Sequence, residues 1–593
     1  MSLTPPPSFT TRPTLTGTFG MAASTHWLAT ACAQAVLERG GTAFDAVVAG
    51  GFVLHLAEPH LNGPGGDLVG IFATAEDPGT PVVLMGQGPA PRGATIDHFR
   101  AEGLDLVPGA GGLAAAVPGA VDAWLVLLRD HGTWELADVL AYAIGYARDG
   151  IPLVPQALAT IRRVADLFRD DWTSSAQLWL PALSGGLFRN IAYADVLDGL
   201  VHAACSVRDD GPVGRAARID AARREWKTGL VAQAASAFLA APHRHSTGGE
   251  HAAVIAPEDF AAFDAGYEDA VTAPFRGATI AKAGSWTQGP ALLEALRILD
   301  ALPDDEIDPS TAQGAHTIVE TLKLALADRD AHFGDGSAIG PLLADDAIAA
   351  RRALIGERAS HEFRPASLAG RDTFCPPLRE TRAASGTGEP TVDRSGQTRG
   401  DTCHIDVIDR WGNIVAVTPS GGWLQSSPAI PELGFCLGTR LQMTWLDESS
   451  PSALRPGARP RTTLSPTLVL REGRAVMAIG TPGGDQQDQW QLPVLVRMLA
   501  GGWSAQQAID APSLHTTALV DSFWPRTWEP AGVVVEDRIG SDVIEGLERR
   551  GHAVTRAGDW SLGRVSAVGR DTATGELWAA ANPRGMQGYA AGR

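Results

Sequence analysis

The apolar positions of this 593-residue chain change period several times, and each change marks an element. Across 22–57 they recur at helical spacing, through Trp27, Ala31 and Leu37 and again from Val47 to Leu56, and Gly40-Gly41 separates the two runs. This pattern predicts a pair of helices. From Pro118 to Leu326 the chain reads as mostly helical, with one strand-like run, Ala278 to Ala281, leading into Ser285-Trp286-Thr287-Gln288-Gly289-Pro290. A long helix is predicted over Ala315 to His332, ending before Gly334. Residues 376–401 then hold almost no apolar side chains and many Gly, Pro, Thr and charged residues, so they cannot form a packed element. This is the one clear linker, and it stops abruptly at Asp401-Thr402. Two alternating apolar runs follow, joined at Trp411-Gly412-Asn413, and predict a β-hairpin. A second hairpin, Thr467 to Ile479 with its turn at Arg471 to Arg474, delivers the chain into Thr481-Pro482-Gly483-Gly484-Asp485. A helix over 486–499 comes next, then another opened by a capping box of Ser504 and Gln507.

Composition places these elements in a globular body: 45% of residues are apolar and 19% charged. The length fits about four average domains, or one large unit of interleaved layers. A net charge of -19 repels nucleic acid and anionic membrane, so neither is assigned as a partner. The most apolar stretch, 112–128, is interrupted by Pro118, Gly119 and Asp122, and residues 1–20 lack the basic start and apolar run of a secretory signal. Five scattered cysteines form neither a disulfide framework nor a Cys-x-x-Cys zinc pattern, and point to a reduced, cytoplasmic setting. Lysine occurs only at Lys227, Lys282 and Lys323; the arginine bias suggests GC-rich coding DNA.

Two stretches carry candidate chemistry. The glycine-dense run from Glu58 to Asp67 reads either as a tight turn or as the wall of a site, because glycine lets backbone approach closely. No phosphate-binding glycine-lysine pattern follows it. Thr402, at the end of the linker, has a plain reading as a strand residue. Its combination with Gly483-Gly484 adds a chemical one: amides at a strand-to-helix junction can meet the oxyanion formed when a hydroxyl attacks a carbonyl.

The ordered motifs resemble the γ-glutamyltranspeptidase family of N-terminal-nucleophile hydrolases. They are Arg39-Gly40-Gly41-Thr42-Ala43-Phe44-Asp45-Ala46, Glu58-Pro59-His60, Val117-Pro118-Gly119, Leu322 to Arg329, Thr402-Cys403-His404 with Asp409-Arg410-Trp411-Gly412-Asn413, Leu464-Ser465-Pro466-Thr467 and Pro482-Gly483-Gly484. The resemblance implies an α/β, four-layered αββα sandwich. It also implies self-cleavage between Asp401 and Thr402 into an intertwined large subunit, 1–401, and small subunit, 402–593. Thr402 is then the catalytic nucleophile, with its freed α-amine, of reference pKa roughly 7.7–8.0, as base. Gly483 and Gly484 supply the oxyanion donors, and Ser420 matches a hydroxyl residue that orients the nucleophile. Thr462 and Thr463 match paired serines near the substrate carboxylate, their alternative being strand-end threonines with no ligand. No cofactor or metal is implied. His404, on the same strand face as Thr402, reads as a packed structural histidine.

At the acyl pocket the chain departs from the family. Gln87 occupies the place of an arginine that holds the substrate α-carboxylate, Trp445, just after Gln442-Met443, that of an acidic residue that holds the α-amine, and Gly422 that of an asparagine. Two charge-assisted contacts of roughly 1.5–3 kcal/mol each are thereby lost, so a zwitterionic glutamyl group is poorly held. The expectation is a hydrolase or acyltransferase acting on a small, non-glutamyl acyl substrate, with Gln87, Gln442, Trp445, Thr462 and Thr463 lining the acyl site. Three alternatives stay open: a C–C bond hydrolase of specialised metabolism using the same threonine, an ordinary glutathione hydrolase, and an uncleaved, non-catalytic binding protein.

Overall fold

A computed structural model describes residues 3–208, 211–380 and 402–593. The fold is built on two seven-stranded sheets. One runs, in spatial order, Tyr589–Gly592, Gly20–Ser24, Ile405–Asp409, Ile414–Ser420, Asp67–Ala73, Val82–Gly86 and Gly266–Asp269, antiparallel throughout. The other runs Leu15–Gly17, Leu577–Ala581, Ser566–Arg570, Arg474–Gly480, Thr467–Arg471, Ala278–Lys282 and Val271–Phe275, again antiparallel. The facing sides share one apolar layer, in which Val69, Ile71, Ile408 and Ala416 of the first sheet meet Ala281, Leu468, Ala478 and Val568 of the second.

Helices cover the outer faces. Trp27–Glu38, Ala43–Ala57 and Ala120–His131 pack on the first sheet, and Gly289–Asp300, Ala312–His332 and Gln487–Leu499 on the second. The result is the expected four-layered αββα sandwich. Because every central strand is covered on both faces, Ile405–Asp409 and Ile414–Ser420 are buried along their whole length.

Both predicted hairpins form, and the second turns between Arg471 and Arg474. Three expectations need correction. Residues 22–24, predicted helical, belong to the strand Gly20–Ser24, because Ala-rich sequence does not distinguish a helix from a doubly covered strand. The mostly helical region contains the strands Gly266–Asp269 and Val271–Phe275, both at sheet edges. The expected linker is tied down at its start, where Arg379 bridges to Thr527 and its carbonyl accepts from Trp528 N at 2.9 Å; residues 381–401, including Asp401 of the expected cleavage site, lie outside the described residues. Among the described residues, no helix is long and apolar enough to cross a membrane.

Candidate active site

Thr402 lies just ahead of the strand Ile405–Asp409 and joins the sheet through a single antiparallel bridge to Ser420. Its hydroxyl donates to Ser420 Oγ at 3.3 Å and accepts from Gln487 Nε2 at 3.4 Å. The other end of the Gln487 amide accepts from Ser465 N at 2.9 Å, so Gln487 ties the threonine to the segment entering the second hairpin. The glycine loop packs its backbone directly against the end of the Ile414–Ser420 strand. A Cβ at Gly66 would lie 2.1 Å from Ser420 O and one at Gly63 2.3 Å from Gly422 O, distances only glycine permits.

The neighbours of Thr402 are held differently. Cys403 is buried, with its thiol donating to Glu58 Oε2 and accepting from Asn62, both at 3.1 Å. Burial, reinforced by the Glu58 carboxylate, pushes this thiol well above its ordinary range, which disfavours the thiolate a cysteine nucleophile needs. His404 is fixed at both ring nitrogens, Nδ1 by Thr418 Oγ1 and Nε2 by Asp406 Oδ1, each at 2.8 Å, and Asp406 accepts in turn from Ser566. A Cβ at Gly480 would lie 2.2 Å from the His404 ring, so the second sheet closes over it. His404 is a buried structural brace.

Gly483 and Gly484 have φ of 132° and 53°, left-handed conformations that turn the chain from the strand Arg474–Gly480 into the helix Gln487–Leu499. The first amides of a helix have no intrahelical acceptor, and the helix dipole favours negative charge there. Gln487, the first residue of this helix, touches Thr402 through its side chain, so the start of the helix lies beside Thr402. The turn is braced from behind. Gln288 Nε2 donates to Gly484 O at 3.2 Å, Arg329 donates to Gln288 Oε1 at 3.0 Å and pairs with Asp485, and Ser522 binds both Asp485 oxygens.

The expected acyl-site residues separate into two groups. Gln442 is fully engaged: Nε2 donates to Gly109 O and Thr439 Oγ1, and Oε1 accepts from Trp524 N. Thr462 is tied to Trp286 and Thr287, as a strand-end threonine is. Thr463 Oγ1 and Gln87 Oε1, by contrast, are buried without a partner among the described residues. Gln87, Gly421 and the buried Arg440–Asp67 ion pair surround one small void. Trp445 packs edge-on against Phe374, and the Arg526 guanidinium lies over its ring at 4.0 Å. Three ligand-type side chains converge at only one place among the described residues, His316, Glu320 and His552; Glu320 there is already held by Lys323 and Arg364.

Gln487, Arg461 and Arg526 were not singled out from sequence. The helix start after Gly483-Gly484 was a usable signal for Gln487. Nothing in the sequence joins 461 to 526; only the tertiary fold does.

A threonine at a strand start, framed by a hydroxyl and a glycine turn inside an αββα sandwich, defines an enzyme of the N-terminal-threonine hydrolase class. The chain belongs to the γ-glutamyltranspeptidase family, whose model, described as "Gamma-glutamyltranspeptidase", matches residues 29–592. It is 30% identical to the "Oxamate amidohydrolase proenzyme" of Klebsiella pneumoniae, over 97% of this chain and 98% of that one. Among solved structures, LmbA2991HD is 50% identical, with 99% of this chain and 100% of that chain covered and a TM-score of 0.92. The cephalosporin acylase of Bacillus halodurans is 25% identical, with 99% and 98% covered and a TM-score of 0.80.

Proposed function

We propose that this protein matures by cleavage between Asp401 and Thr402 and then transfers or hydrolyses a small, non-glutamyl acyl group through an acyl-Thr402 ester. The observation that carries this reading is the Thr402 hydroxyl held between Ser420 and Gln487 at the start of the Gly483-Gly484 helix. In the precursor the hydroxyl adds to the Asp401 carbonyl, the Asp401–Thr402 C–N bond breaks as the acyl group shifts to oxygen and frees the α-amine, and water then hydrolyses the ester to release the Thr402 hydroxyl and the Asp401 carboxylate. In turnover that amine takes the hydroxyl proton as the oxygen adds to the substrate carbonyl. The Gly483 and Gly484 amides stabilise the oxyanion, and the amine returns the proton to the leaving group. Ser420 fixes the rotamer of Thr402, and Gln487 supports it from the side of the helix.

That one relative is named an oxamate amidohydrolase and another a cephalosporin acylase supports a non-glutamyl reading. The neutral Gln87 and the aromatic Trp445 favour an acyl group that is not zwitterionic. A pocket lacking both charged partners desolvates the two glutamyl charges without replacing their hydration.

The test is direct. Purified protein should run as two fragments, the smaller beginning Thr402-Cys403-His404, and Thr402→Ala should stay uncut and lose activity by about a thousandfold or more. Cys403→Ser should cut and turn over normally within a few-fold. A fragment beginning at Cys403, or an active intact chain, sinks the assignment. Glutathione hydrolysis as fast as the best other substrate sinks the non-glutamyl part alone.

A further inference from the structure

Only three of the 48 lysines and arginines in this chain are lysine, and one of them, Lys282, is completely buried at the end of the strand Ala278–Lys282. Its Nζ donates to Ser465 O and Thr467 Oγ1, both at 2.8 Å, and lies 3.0 Å from Asp488 Oδ1. An ammonium carries three donors around one atom and can meet three acceptors that converge there, whereas the planar fork of arginine cannot. The stem is held as closely as the head: a Cβ at Gly289 would lie 3.0 Å from both Lys282 Cβ and Cε. Asp488 is buried too; its Oδ1 also accepts from Ser465 Oγ at 2.6 Å, and its Oδ2 has no partner among the described residues. Burial pushes Lys282 down and Asp488 up, and each is drawn back by the charge of the other. Removing either would leave the other an unpaired buried charge.

The pair is tied to Thr402 through Ser465, whose three polar groups are all engaged. Its carbonyl accepts from Lys282 and from Gln491 Nε2, both at 2.8 Å, its hydroxyl donates to Asp488, and its N–H donates to Gln487 Oε1 at 2.9 Å. The last contact has a directional consequence. A glutamine amide can present either its oxygen or its nitrogen to a neighbour. Because Ser465 N–H is a donor it takes the oxygen, and Gln487 Nε2 is turned to Thr402 Oγ1 at 3.4 Å. Thr467 braces the helix from the other side, accepting from Lys282 and donating to Gln491 Oε1 at 2.6 Å. A continuous set of hydrogen bonds therefore runs from one buried ammonium to the Thr402 hydroxyl, across a strand end, the Leu464-Ser465-Pro466-Thr467 motif and the helix Gln487–Leu499.

We propose that Lys282 is a positioning residue for Thr402: it fixes Ser465 directly and through Asp488, Ser465 orients the Gln487 amide, and that amide holds the Thr402 hydroxyl for self-cleavage and turnover. Lys282 acts through these residues and not on the reacting atoms. The inference rests on the reading of Thr402 as nucleophile and adds a remote residue to it. A lysine serving only the stability of the second sheet would pack identically. Coupling to Gln487 is what distinguishes the two roles.

The rate of self-cleavage, followed on a gel after a pulse of cell-free synthesis of the full chain, reads this coupling without any substrate. Wild type, K282M, Q487M and K282M/Q487M form the cycle, with T402A as the uncut control. K282M and Q487M should each slow cutting by about tenfold, the value of one hydrogen bond. The double variant should be no slower than the slower single, because both substitutions remove the same hold on Thr402. A purely structural lysine would instead multiply the two losses to about a hundredfold. Multiplied losses, K282M cutting at the wild-type rate, or Q487M doing so while K282M is slow, each overturn the role of Lys282 and leave Thr402 as nucleophile. Cutting of T402A, or no cutting of the wild type, overturns the nucleophile reading and the role of Lys282 with it. Where K282M does not fold, K282M/D488N, which leaves no charge unpaired, takes its place in the cycle. Where that fails too, S465A, which loses a single hydroxyl, does so, and the same outcomes decide.

Discussion

The two halves of the site differ in how completely the protein satisfies itself. Around the proposed nucleophile, Thr402, Ser420, His404 and Gln487 all find protein partners. In the region where the acyl group is proposed to bind, Thr463 Oγ1 and Gln87 Oε1 are buried with no partner among the described residues. Groups that break bonds must be held in one geometry before the substrate arrives, and internal hydrogen bonds hold them. Groups that recognise a substrate keep their capacity for it.

Changes in the satisfied half should lower turnover of all substrates alike. The largest such effect after loss of Thr402 itself is expected from Gly483→Ala, whose Cβ would lie 2.4 Å from the Trp490 ring at a φ of 132°. If the Gly483 amide is the proposed oxyanion donor, displacing it should reduce kcat by about 10²–10³-fold for every substrate alike, measured as product release. A selective loss would break the comparison. Gln487→Met removes a donor to Thr402 and an acceptor for Ser465 N, and should reduce kcat by about tenfold with KM nearly unchanged. A rise in KM alone would move Gln487 to the recognition half.

The smallest effect is expected where sequence comparison suggests the largest. Restoring charge with Gln87→Arg and Trp445→Asp should raise turnover of γ-glutamyl-p-nitroanilide by no more than a few-fold, because Arg526, now at 4.0 Å from the Trp445 ring, would claim the new carboxylate. A gain of a hundredfold would show that Arg526 moves aside and that Gln87 and Trp445 alone exclude glutamyl groups.

What could be read in advance follows the range of the interactions. The hairpin beginning at Ile405, the helix Gln487–Leu499 and the Ser504 cap are local, and period and turn residues reveal them. The position of Thr402 at a strand start and of Gly483-Gly484 at a strand-to-helix turn was legible from the linker's end and the glycine pair. Gln442 was placed at the substrate by correspondence, yet its amide is used up by Gly109, Thr439 and Trp524, three contacts invisible to spacing. Arg461 and Arg526 were illegible for the same reason. A charged residue in the sequence reads as surface until the fold buries it, and its partners are known only once its neighbours are.

The interleaving of the sheets bears on the protein's history in solution. Ile405–Asp409 lies between Gly20–Ser24 and Ile414–Ser420, and Arg474–Gly480 continues the sheet that holds Ala278–Lys282, so neither sheet belongs to one side of the Asp401–Thr402 bond. The uncut chain can reach this arrangement by a unimolecular path whose yield is independent of concentration. Two separate pieces would each expose half-built sheets with open edges, and would have to find one another before either was stable. Cutting would then erase the route by which the fold was made, leaving a molecule that persists by the slowness of its unfolding.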